Sequence, residues 1–192
     1  MTLTALEGAL QELRAEGLGC TRCALSSTRT QVVFGVGNPN AGLMFIGEGP
    51  GRDEDLRGEP FVGRSGKLLD RLMAEEMGID RTGCYIANVL MCRPPGNRDP
   101  RPEEIESCRP HLEAKIELFE PRVIVTLGNF ATRFILDRAE GIKRLRGHVY
   151  PYRHGVVVPT YHPSAALRSG GEVVAEMRAD LVRAKQALAV AS

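Results

Sequence analysis

The groups in this sequence best suited to chemistry are four cysteines, a carboxylate in a glycine loop, an asparagine ending an apolar run and a histidine before a proline. Cys20 and Cys23 form a Cys-x2-Cys pair, and Cys92 and Cys108 follow with fifteen residues between them. Four thiolates are the ligand count of a structural zinc site or of a 4Fe-4S cluster. Cysteine is also a common core residue. Against that reading, Cys20 and Cys23 enclose Thr21 and Arg22, and Cys92 precedes Arg93-Pro94-Pro95, settings unlike a buried strand. Spacing favours ligation but leaves zinc and iron open, because the second pair is neither a tight zinc knuckle nor a common ferredoxin run. The fifth cysteine, Cys84, opens an apolar run and reads as a buried free thiol.

The loop Gly47-Glu48-Gly49-Pro50-Gly51 fails as a phosphate cradle. Arg52 stands where a dinucleotide fingerprint needs its third glycine, and Gly66-Lys67 is followed by Leu68 where a P-loop needs Ser or Thr. The loop does offer a backbone that a flat ligand can approach closely, with Glu48 beside it. Alone, Glu48 reads as a solvated acid, Asn88 as a strand-end residue bonding its own backbone, and His162 as a loop histidine. His111, His148 and His154 keep that bland reading. Glu48, Asn88 and His162 together become a candidate site only if the chain brings them to one place.

The elements that would do so are legible. β-rich runs at 43–46, 84–89, 123–127 and 156–160 alternate with helical patterns at 65–77, 103–119, 130–137 and 172–189. Leu3, Leu6, Leu10 and Leu13 share one face of an opening helix that leads into Cys20. This alternation predicts an α/β fold, a three-layer αβα sandwich on a central, mainly parallel four-stranded sheet. In such folds ligands bind beyond the carboxyl ends of the strands, where the glycine loop, Asn88 and His162-Pro163-Ser164 all fall. Residues 94–102, rich in Pro and Arg, read as a surface loop. The 192 residues, 43% of them hydrophobic, suit a single domain spanning 1–192. A net charge of +1 excludes a globally basic coat, so any nucleic-acid contact must be a local patch. Without a long apolar run or a signal-like start, the expectation is a soluble cytoplasmic monomer with no membrane contact.

Taken together, Gly47 to Gly51, Glu59-Pro60-Phe61-Val62-Gly63, Ala87-Asn88-Val89, Cys92-Arg93-Pro94-Pro95, His162-Pro163-Ser164 and the cysteine spacing resemble a family 4 uracil-DNA glycosylase. The likeness runs from about residue 19 to the last helix, and a related family lacks the acid found here as Glu48. The resemblance implies base-excision repair of uracil-containing DNA, single- or double-stranded, and a 4Fe-4S cluster on Cys20, Cys23, Cys92 and Cys108 that ties the first helix to the body. It implies a uracil pocket of Gly47, Gly49, Glu54, Phe61, Asn88 and His162. Phe61 would stack on the flipped base, Asn88 would read its Watson-Crick edge, and Glu54 would wall off C5, although Asp53-Glu54-Asp55 otherwise reads as solvated surface. Glu48 would position water and stabilise the cationic sugar, and His162, favoured as neutral at a helix start, would stabilise the departing base. Arg93, Arg98, Ser164 and Arg168 are the candidate DNA-backbone contacts, and Leu167 the candidate wedge into the gap.

Overall fold

In chain order the strands are β1 (Val36–Gly37), β2 (Leu43–Gly47), β3 (Tyr85–Asn88), β4 (Val123–Leu127), β5 (Tyr150–Tyr152) and β6 (Gly155–Thr160). This computed structural model describes residues 3–190. The strands form one sheet in the order β1-β3-β2-β4-β6-β5. The centre, β3-β2-β4-β6, is parallel throughout. These four strands are the ones the sequence predicts, and they are wholly or largely buried because both sheet faces are covered.

The expected four strands are six among the described residues. The additions are antiparallel edges, β1 against β3 and β5 against β6. β1 is two residues long, and β5 is centred on Pro151, which cannot donate to a ladder and is tolerated at an edge. Neither is long enough to show a period of two.

The helices are α1 (Leu3–Leu18), α2 (Arg52–Arg57), α3 (Arg64–Leu72), α4 (Pro102–Phe119), α5 (Asn129–Leu136), α6 (Ile142–Leu145), α7 (Pro163–Ser169) and α8 (Gly171–Val190). The helix expected at 65–77 is α3 continued by a π-type turn, Met73–Met77, which Gly78 ends at φ 73°. Alternation along β2 sorts the layers. Leu43 and Phe45 pack with Leu69 and Leu72 of α3 and Met177 and Leu181 of α8. Met44 and Ile46 face Leu6 of α1, Leu112 and Ile116 of α4 and Ile135 of α5. Each such fully buried leucine or isoleucine contributes about 1.5–3 kcal/mol. Of the opening-helix leucines, Leu6 is buried and Leu10 and Leu13 pack partly, while the Leu3 side chain lies outside the described residues. A third cluster of Leu25, Val32, Phe34, Leu90 and Met91 encloses Cys92 and Cys108.

Register positions the site. Gly47 pairs with Asn88 and Leu127 with Thr160, so the parallel strands end level and their following loops converge. Among the described residues no helix is long and apolar enough to cross a membrane.

Candidate active site

A cleft of about 740 Å³ opens at that edge, lined among others by Glu48, Glu54, Phe61, Asn88, His162 and Arg168. Gly49, Arg98 and Ser164 also line it. Gly47 lies beneath, against the side chains: a Cβ there would stand 2.6 Å from Phe61 Cζ and collide with Asn88 Oδ1. The glycine is what lets the aromatic ring and the amide meet.

Asn88 is 3% exposed and its Oδ1 is buried with no hydrogen-bond partner among the described residues. An unsatisfied buried acceptor costs about 1–3 kcal/mol, so this oxygen is a standing demand for a donor. The Phe61 and His162 rings lie 5.6 Å apart at 32°. Phe61 is buried with φ 55°, a left-handed conformation costly for an aromatic residue. Its turn is held from several sides. Glu54 Oε1 accepts from Val62 N–H and Gly63 N–H at 2.9 Å each. The Arg81 guanidinium donates to the carbonyls of Pro60 and Phe61 and pairs with Asp70 at 2.8 Å. A Cβ on Gly66 would overlap the Phe61 carbonyl.

His162 caps α7 through its own ring. Nδ1 accepts from Ser164 N–H at 3.2 Å and lies 2.8 Å from Ser164 Oγ. Occupied as an acceptor, Nδ1 leaves the proton of the neutral ring on Nε2. Burial, aided by Arg168, pushes the imidazole down to about 4, so it is neutral at physiological pH. Glu48 moves the other way. Burial first and Asp99 second push its carboxyl up to about 7. Both shifts share their leading cause, because burial favours the neutral form and so raises a carboxyl and lowers an imidazole.

The sequence could not supply several of these contacts. Ser164 orients His162, Arg81 fixes the aromatic turn from a distant segment, and Asp99 reaches Glu48 from the surface loop. The acidic run is not plain solvated surface, because Asp55 is 3% exposed and accepts from Thr30 N–H at 2.9 Å. The guanidinium of Arg98 is gripped by both oxygens of Glu104, at 2.9 and 2.6 Å, so it braces the 94–102 loop. Arg93 bonds Asn97 at 2.6 Å, while Leu167 and Arg168 are exposed on α7.

The cysteines assemble on one side of the molecule. Cys92 and Cys108 are buried and Cys20 and Cys23 half-buried. Cys23 packs against the apolar cluster that contains Cys92 and Cys108. Arg29 donates to Cys92 Sγ at 3.4 Å and to the Cys20 carbonyl at 2.7 Å, and Met91 N–H donates to Cys108 Sγ at 3.4 Å. Among the described residues no three or more His, Cys, Asp or Glu side chains are grouped closely enough to hold a metal ion. Cys84 stands apart, fully buried beside Met73, its thiol pushed up to about 12 by burial.

The model of the uracil DNA glycosylase superfamily matches residues 34–188. The chain is 48% identical to a type-4 uracil-DNA glycosylase of Archaeoglobus fulgidus over 82% of its length and 83% of that protein's. It is 48% identical to the type-4 enzyme of Thermotoga maritima (78% and 79% covered) and 42% to that of Sulfurisphaera tokodaii (82% and 76%). The chain therefore belongs to the uracil-DNA glycosylase superfamily and, within it, to the type-4 family.

Proposed function

We propose that this chain takes uracil out of DNA, hydrolyses its N-glycosidic bond, and leaves free uracil and an abasic site. The observation that carries the reading is the buried, unpartnered Asn88 Oδ1 at the wall of the cleft. Uracil offers it N3–H and can take the Asn88 amide at O4, whereas cytosine presents an acceptor at N3. In a site built to hydrogen-bond, such a mismatch is worth roughly 10⁴-fold discrimination. The base must first leave the stack, at a cost of a few kcal/mol. Phe61 supplies the stacking platform. Glu54 both clasps the Phe61 turn and lines the cleft, where it serves as the wall beside C5.

As the C1′–N1 bond breaks, positive charge grows on the sugar and negative charge on the base. Ionised Glu48 stabilises the sugar and directs the water that adds to C1′, and the proton this water releases neutralises the departing uracil anion. The Nε2–H of neutral His162 donates to uracil O2, holding the developing oxyanion without needing to give up a proton. Gly47 and Gly49 belong to the pocket through backbone approach. Arg93, Ser164 and Arg168 face the DNA backbone, Arg98 works through the loop it braces, and Leu167 is the exposed apolar wedge.

The four cysteines suit a 4Fe-4S cluster. A single zinc binds all four thiolates itself at about 2.3 Å, whereas in a cubane each thiolate binds its own iron, so the four sulfurs stand farther apart than around one ion. The donor set is all thiol, and two of its sulfurs already accept N–H bonds, as cluster ligands do. A cluster on Cys20, Cys23, Cys92 and Cys108 would join the segment after α1 both to the loop before α4 and to α4 itself. We read the chain as one domain acting as a cytoplasmic monomer on uracil-containing DNA. The test is base release from matched uracil, thymine and cytosine oligonucleotides. Release of uracil alone is expected, and release of none, or of all three, contradicts the reading.

A further inference from the structure

Lys115 of α4 is fully buried. Its ammonium lies 3.9 Å from the centroid of the Phe34 ring and 3.5 Å from Met91 Sδ. Among the described residues it forms no ion pair with a carboxylate, and the other charged side chain over the same ring, Arg14 at 5.7 Å, is also a cation. A buried ammonium is strongly disfavoured unless an anion answers it, and an aromatic face answers it only in part. Phe34 and Met91 belong to the apolar cluster that encloses Cys92 and Cys108. Met91 adjoins Cys92 in sequence and bonds Cys108 Sγ. Burial pushes the Lys115 ammonium down to about 7, and Cys108, about two turns away on α4 and hence near the same face, is the nearby group whose thiolate form would favour it.

Given the reading of the cysteines as iron ligands, we propose that Lys115 is the buried counter-charge of the iron-sulfur cluster, setting its potential and its retention. Four thiolates around a 4Fe-4S core of charge +2 leave a net charge of −2. The thiolates thus supply the anion that the ammonium lacks, and the ammonium lowers the cost of adding an electron to the cluster. The role is electrostatic and separate from base excision, since Lys115 does not line the cleft.

The test compares wild type with Lys115→Met, a neutral side chain of similar length, in iron-loaded protein. Iron and sulfide content with absorbance near 400 nm is followed by the midpoint potential and by the rate of bleaching in chelator. The potential of K115M is expected to fall by about 59 mV or more, tenfold in a one-electron equilibrium, and bleaching to quicken severalfold, while Lys115→Arg stays near wild type. Circular dichroism melting separates this from a packing defect, because removing a buried charge need not lower stability. A folded, iron-loaded K115M with unchanged potential and bleaching overturns the counter-charge alone. Wild-type protein that takes up no iron or sulfide overturns it together with the cysteine reading.

Discussion

At the scale of single residues, the site depends on atoms that are absent as much as on those present. Gly47 contributes no side chain, and the missing Cβ is the space in which Asn88 and Phe61 meet. Gly47→Ala must push one or both aside, and a displacement near 1 Å in a reacting geometry costs about 10²-fold. A drop of that size in kcat/KM at unchanged fold is expected in single-turnover kinetics, and wild-type activity would refute the packing argument. On the proposed mechanism Glu48 and His162 set the pH response. The carboxyl is pushed up to about 7 and must be ionised, so kcat/KM should rise about tenfold per pH unit below 7 and level off above it. The imidazole, pushed down to about 4, adds no break between pH 5 and 8. A profile flat from pH 5 to 8 would mean that ionisation of Glu48 is not required. These residues were legible because each ends a strand-like run, whereas the direction of the shift on Glu48 was not, since burial and Asp99 exist only in the fold.

Among elements, the turn between α2 and α3 is the most tightly specified. Phe61 is held left-handed by the N–H bonds that Glu54 of α2 accepts from Val62 and Gly63 and, from a separate segment, by donation from Arg81. Arg81→Met removes the outer hold and leaves the inner one. The expected result is about a tenfold to hundredfold loss of kcat/KM that persists in Arg81→Lys, whose point charge cannot reproduce the forked donation to two carbonyls and Asp70. Full activity of both variants would make Arg81 a bystander. Nothing in the sequence marks Arg81, because the carbonyls it holds, those of Phe61 and Pro60, lie 20 and 21 residues upstream. The same limit hid β1 and β5, two and three residues long, whose pairing is decided by the strands beside them. The central strands and long helices were readable because their apolar periods are repeated enough to stand out from propensity.

For the whole molecule, a net charge of +1 means that DNA affinity must come from a few placed cations near the cleft. On the proposed reading such cations are Arg168, which lines the cleft, and Arg93, on the loop before α4. Removing either phosphate contact should lower the slope of log K against log salt by about 0.9 on duplex or 0.7 on single strands, measured by titration at several salt concentrations. An unchanged slope would take that residue off the interface. The central claim is that the cleft excises uracil with Glu48 as its essential carboxylate. Its most direct test is single-turnover uracil release by wild type and Glu48→Ala, with DNA binding measured in parallel. The expected result is release from uracil DNA only, lowered at least about 10²-fold in the variant with binding retained; equal release by both proteins, or none by the wild type, would contradict the account.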